Sequence, residues 1–177
     1  YHLYKYKPLL LHSIDKAKSY SKFCRIVLVI NKKHKSYIGK LRIKNIKVVV
    51  GGKTRAESAY KALLSIKGYN IKNVLIHDAA RPNFSIKLLD RLYKGLKLND
   101  CVIPAIQTSD SIKQKTSNII TNLERENIYL IQTPQAFNYK KLLKLQTNKG
   151  VEVTDDANLF VKAGKKIKII KGEANNN

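Results

Sequence analysis

Short apolar runs rich in Val and Ile alternate along the chain with stretches whose apolar residues recur at helical spacing. Residues 23–30, 46–50, 73–78, 100–106, 129–133 and 166–170 read as strands, because β-branched runs of this length, bounded by turn residues, fit a pleated and buried ribbon. Amphipathic segments lie between most of them. Over residues 8–21, Leu9, Leu10, Ile14 and Ala17 share one helical face. Over residues 54–68, Ala59, Ala62, Leu63 and Ile66 form a stripe that Gly68 ends. Ser85 is placed to cap a helix over residues 85–96, and Thr154 one that stops at Gly164. This rhythm predicts βαβ units, hence an α/β fold of three layers around a mostly parallel central sheet.

Residues 107–127 break the rhythm. They alternate only weakly about the turn-forming sequence KTSN, which predicts a polar hairpin projecting from the sheet as a β-arm. A two-stranded ribbon is marginal alone in water, so the arm is expected to pack on another subunit. No repeat or Pro/Gly-rich linker divides residues 1–177, which are expected to form one domain.

No apolar run approaches the roughly 20 residues a membrane-spanning helix needs, and no signal sequence is present, so no membrane partner is expected. Cys24 and Cys101 lie in separate apolar runs without metal or disulfide spacing. Both are expected to be core residues in a reducing cytoplasm. The formal charge of +23 would suit a nucleic-acid partner. The lysines are dispersed, however, without an arginine-rich arm or interleaved stacking aromatics, so no nucleic-acid partner is expected. The same field attracts small polyanions such as nucleoside triphosphates.

In an open parallel sheet, ligands bind beyond the carboxyl ends of the strands, where loops gather and helix N-termini present unpaired N–H groups. Three segments fall there. In VVVGGKTRAES, Gly51 and Gly52 permit close backbone approach to a flat ligand and Ser58 offers a hydroxyl, although a plain strand-to-helix turn is written the same way. In LIHDAARP, Asp78 ends an apolar run, Ala79 and Ala80 leave room, and Arg81 offers a fork for phosphate. One carboxylate suffices for Mg²⁺, which keeps waters and takes substrate phosphates as its other ligands. The bland alternative is a loop acid paired with Arg81, and His77 reads as structural. In IQTPQAF, Thr133 can donate to an oxyanion and Pro134 turns the chain. TDDA, residues 154–157, reads as a helix N-cap with two acids favoured by the dipole.

Taken in order, GGKTRAES, HDAARP, SDSIK with ER, QTPQAF, TDDA and GEANN resemble the 2-C-methyl-D-erythritol 4-phosphate cytidylyltransferases across essentially the whole chain. Single pieces also occur in ribitol-phosphate cytidylyltransferases, but HDAARP with TPQAF at this distance favours the isoprenoid enzyme. The resemblance implies a Rossmann-like nucleotidyltransferase fold, CTP and a sugar-alcohol phosphate as substrates, Mg²⁺, and a homodimer joined through the arm. It puts Gly52 and Ser58 at the cytosine and Asp78 at the CTP phosphates; Gly51 and Ala79, which the residue reading above leaves open to a ligand, complete the candidate CTP-binding set. Asp78 stands by the metal and the phosphates. Arg81 and Thr133 line the sugar-phosphate pocket, and Ser111 and Arg125 reach the sugar phosphate of the partner subunit. Asp78 and Arg81 are the candidate catalytic residues. The family's usual threonine is Ser111 here, with the hydroxyl retained.

The sequence begins at Tyr1, contains no Met and ends in three asparagines, so it reads as a piece of a longer frame. The family's glycine-rich loop and the lysine of its Pro-Lys-Gln-Tyr segment, as well as a lysine expected beyond GEANNN, are not in it. Without those cations the chain by itself is expected to turn over CTP negligibly. Fusion to the cyclodiphosphate synthase of the same pathway is open at this stage. So are a ribitol-phosphate substrate and a basic, non-catalytic nucleic-acid-binding protein.

Overall fold

The computed structural model describes residues 2–146 and 155–176. The Thr154 cap lies outside them. A small hairpin, β1 (Leu3–Tyr4) and β2 (Lys7–Pro8), leads into helix α1 (Leu9–Lys18), which buries Leu10, Ser13 and Ile14. Then follow β3 (Val27–Ile30), α2 (Lys35–Lys40), β4 (Lys47–Val50), α3 (Arg55–Ser65), β5 (Asn73–Ile76), α4 (Ile86–Gly95) and β6 (Cys101–Gln107). The helix boundaries follow local chemistry. Thr54 accepts from the Glu57 amide to start α3, and Ser85 accepts from the Leu88 amide to start α4. Gly68, at φ +96°, lies just beyond α3, in a region a side chain would strain.

Residues 107–127 carry two antiparallel strands, β7 (Ile112–Thr116) and β8 (Ile119–Leu123), turning at Ser117 with φ +55°. The chain then forms β9 (Tyr129–Ile131), β10 (Gln135–Asn138), α5 (Tyr139–Gln146), α6 (Ala157–Lys162) and β11 (Lys168–Lys171).

The central sheet has the order β11-β6-β10-β5, with β9 pairing further along β6. β11 runs parallel to β6, while β10 is antiparallel to both β5 and β6. Three strands therefore share one direction and β10 is wedged between two of them. The sequence pattern predicts a turn at Pro134 and no strand after it, whereas Gln135–Asn138 form β10. Residues 135–137 are fully buried or nearly so, and β10 owes its place to backbone partners distant in the chain.

Period-two alternation builds the layers. Cys101, Ile103 and Phe137 face a core containing Leu63 of α3, Leu142 of α5 and Phe160 of α6. Val102 and Ala136 face the other way, into a core with Leu88, Leu89 and Leu92 of α4. Burial on both faces explains why residues 101–105 are continuously apolar. Each fully buried Leu or Phe contributes about 1.5–3 kcal/mol. β3 and β4 pair in parallel as a separate ribbon, packed through Ile30 against Leu10 and Ile14 of α1 and Ile38 of α2.

One sequence expectation fails here. Cys24 is exposed: β3 begins only at Val27, so the residues before it lie outside the sheet.

Candidate functional site

A cavity of about 790 Å³ lies between the β3–β4 ribbon and β5. It runs the length of both strands: its lining includes all of β3 and β5, the residues just before each, core side chains such as Leu63, Ile66 and Leu89, and the loops after β4 and β5. Gly51, Gly52, Ser58, Asp78 and Ala79 all line it. The strand-end residues singled out in two separate motifs thus converge on one space.

The turn after β4 is a closed hydrogen-bond cycle. The Gly52 amide donates to Ser58 Oγ at 3.1 Å, and the Ser58 hydroxyl donates to the Thr54 carbonyl at 2.9 Å. Glu57 Oε2 accepts from the Lys53 amide at 2.7 Å, so the first turn of α3 folds back over the loop. This is why both glycines are needed. A Cβ at Gly51 would lie 2.6 Å from Ser58 Oγ, and one at Gly52 would run into the Glu57 side chain.

The loop after β5 is held from three sides. Ser13 of α1 donates to the Ala79 carbonyl at 2.8 Å. The Arg81 amide donates to the Asp78 carbonyl at 2.9 Å, closing a turn. His77 Nε2 lies 2.9 Å from the Arg81 carbonyl and Nδ1 lies 3.0 Å from Thr133 Oγ1. Since a carbonyl only accepts, Nε2 carries the proton and Nδ1 accepts from the Thr133 hydroxyl. Thr133 Oγ1 in turn accepts from the Asp78 amide at 3.2 Å. Burial pushes His77 down to about 4, so the imidazole is neutral at ordinary pH. His77, as expected, serves the structure of the loop.

The Asp78 carboxylate is about half exposed. Two guanidinium groups flank it without closing on it: Arg55 Nε lies 3.9 Å from Oδ1 and Arg81 Nε lies 4.0 Å from Oδ2. The plain loop-acid pairing with Arg81 is therefore loose. Among the described residues no hydrogen bond reaches either carboxylate oxygen, and no group of three or more His, Cys, Asp or Glu is placed to hold a metal. A single carboxylate with free lone pairs, open to a cavity, fits Mg²⁺ carried by phosphates and poorly fits an all-protein metal site.

Arg81 extends Nη1 to the Asn176 carbonyl at 3.4 Å, and Asn176 Nδ2 donates to the Thr133 carbonyl at 2.8 Å. The segment after β11 is thereby clipped beside Thr133. Ser111 and Arg125 lie at the neck of the arm, where Arg125 Nη1 donates to the Ser109 carbonyl at 2.9 Å. Neither lines the cavity.

Two residues were missed in the sequence. Arg55 opens α3 and lines the cavity. A cation at a helix N-terminus opposes the macrodipole, and that was the available signal that it answers to a partner. The partner is Asp156, whose side chain is 0% exposed and whose Oδ2 lies 2.7 Å from Arg55 Nη1. Burial raises the Asp156 carboxyl above its ordinary value, against the pull of Arg55. Of the two acids expected at this helix start, Asp155 accepts from the Asn158 amide at 2.9 Å. Asp156 makes no capping bond.

Comparison with known proteins agrees with this geometry. The family model described as IspD, 2-C-methyl-D-erythritol 4-phosphate cytidylyltransferase, matches residues 1–177. A bifunctional enzyme IspD/IspF of Pelagibacter ubique is 75% identical over 98% of the chain, and the chain spans 47% of that relative. A 2-C-methyl-D-erythritol 4-phosphate cytidylyltransferase of Geobacillus kaustophilus is 31% identical over 96% of the chain and 78% of its own length. The solved 4-diphosphocytidyl-2C-methyl-D-erythritol synthase of Anaerococcus prevotii superposes with a TM-score of 0.91 at 28% identity, covering 100% of this chain and 82% of that one. With the strand-end motifs gathered on one cavity and the match running from end to end, the chain belongs to the IspD family of 2-C-methyl-D-erythritol 4-phosphate cytidylyltransferases.

Proposed function

We propose that the protein carrying this chain transfers CMP from CTP to 2-C-methyl-D-erythritol 4-phosphate, releasing pyrophosphate, in the non-mevalonate route to isoprenoid precursors. The observation that carries the reading is that Gly51, Gly52, Ser58, Asp78 and Ala79, which follow the ends of β4 and β5, all border the cleft between β3 and β5. The glycine turn forms a surface low enough for a flat base, and the Asp78 loop borders the triphosphate. Attack by the sugar phosphate on the α-phosphorus needs no general base, because a phosphate is already ionised at neutral pH. It needs positive groups around crowded anions, set where charge grows. Arg81 is such a group, and Thr133 sets the Asp78 amide beside it. Asp78 would hold Mg²⁺, which when bound supplies charge neutralisation at the phosphates.

Ser111 and Arg125 act from the arm on the sugar phosphate of a partner subunit. In support, Ile119 and Ile120 on the arm are 67% and 65% exposed, apolar surface that a homodimer would cover. Two free thiols suit a cytoplasmic location. The length and name of the Pelagibacter relative support a whole protein with a second, IspF-type activity.

The test is pyrophosphate release by the intact protein with CTP and Mg²⁺, offering methylerythritol phosphate and ribitol 5-phosphate in separate and mixed assays. Turnover with methylerythritol phosphate, competed weakly by ribitol phosphate, is expected. Preference for the ribitol compound, or no dependence on CTP, would reject the reading.

A further inference from the structure

Asp156 is a fully buried acid that neither helix capping nor the proposed chemistry accounts for. Its Oδ1 accepts from Gln146 Nε2 at 2.9 Å. Its Oδ2 stands 2.7 Å from Arg55 Nη1, an ion pair in which the acid's side chain is 0% exposed. The same guanidinium leaves Nε 3.9 Å from Asp78 Oδ1. An arginine beside an accessible carboxylate ordinarily closes to a bidentate pair at about 2.7–2.9 Å. Arg55 stops roughly 1 Å short of that, while its Nη1 lies against Asp156.

Closure would matter. A guanidinium seated on Asp78 occupies the lone pairs that a cation needs and adds a positive charge against it. With Asp156 in place the two arginines flank Asp78 while both of its oxygens stay open.

We propose that Asp156 is a positioning residue that holds and neutralises Arg55, so that Arg55 does not compete with a divalent cation for the Asp78 carboxylate. This rests on Asp78 being the cation ligand. A buried pair that merely built the cavity wall would need both members. A pair acting through competition needs Asp156 only while Arg55 is present.

The experiment is Mn²⁺ binding in the presence of CTP, read from the electron paramagnetic resonance signal of free Mn²⁺. It uses the intact protein and its variants Asp156→Asn, Arg55→Gln with Asp156→Asn, and Asp78→Asn. Asp156→Asn is expected to weaken Mn²⁺ binding roughly tenfold, the effect of one neighbouring charge. The double variant is expected to bind within about threefold of the parent, or more tightly. Unchanged binding in Asp156→Asn overturns the proposal. So does a double variant as weak as Asp156→Asn, since that result marks the pair as wall structure. If Asp156→Asn does not fold, the double variant, which buries no lone charge, decides alone: parent-like binding supports the proposal and lost binding rejects it. Asp78→Asn separates the two readings. If it binds Mn²⁺ like the parent, Asp78 is not the ligand and the inference falls with that reading. If Asp78→Asn abolishes binding while Asp156→Asn leaves it intact, only the role of Asp156 is wrong.

Discussion

Thr133 Oγ1 sits between two groups of the neighbouring loop, 3.0 Å from His77 Nδ1 and 3.2 Å from the Asp78 amide nitrogen. Its proton goes to the imidazole, and its oxygen receives the amide. Thr133→Val removes both bonds while keeping the shape, and leaves a partly buried amide and a partly buried ring nitrogen without this partner. It is expected to lower stability by about 1–3 kcal/mol in urea denaturation. Thr133→Ser, which keeps the hydroxyl, should lie within about 1 kcal/mol of the parent.

The glycine turn gives a sharper contrast. Gly52→Ala drives a methyl group into the Glu57 side chain and breaks its bond to the Lys53 amide. It is expected to cost about 1–3 kcal/mol in a thermal melt and to weaken CTP binding by calorimetry. Gly39→Ala in α2, where nothing lies within 4 Å of the new methyl, should instead stabilise by about 0.5–1 kcal/mol through helix propensity.

Glu173 ties the segment after β11 to the start of α4. Partial burial raises its carboxyl, but the Ser85 hydroxyl and amide and Arg91 outweigh that and hold it below the usual range. As pH falls, the unfolded chain takes up the proton first. The contribution is therefore full above the ordinary carboxylate range and lost as pH drops through the folded value. Glu173→Gln is expected to be less stable than the parent by about 1 kcal/mol at neutral pH. That gap should close in denaturation curves recorded at progressively lower pH.

The two cysteines should separate by rate. Cys24 is exposed, whereas Cys101 is buried and burial pushes its thiol up to about 12. Ellman's reagent should titrate one thiol promptly in the native protein and the second only after unfolding. Two fast thiols would contradict the packing of β6.

What the residues alone determined is local. Strand runs at β3, β4, β5 and β6, the stripes of α1 and α3, the Ser85 cap and the stop at Gly68 follow from side-chain period and backbone freedom, properties a segment carries wherever it lies. The glycine turn and Asp78 were visible as candidates for the same reason, since each directly follows an apolar strand run, although a plain turn or loop acid reads the same way.

Pairing decided the rest. β10 is legible only with β5 and β6 beside it, because a four-residue strand after a proline has no pattern of its own. Cys24 and Cys101 sit in similar apolar contexts, and only the sheet boundary separates an exposed thiol from a buried one. Arg55 and Asp156 are far apart in the chain and look like any surface arginine and any helix-cap acid. Burial, which is set by the whole packed molecule, turns them into a charge pair beside Asp78. A charge acquires its energy from the dielectric and the partners around it, and no stretch of sequence carries those with it.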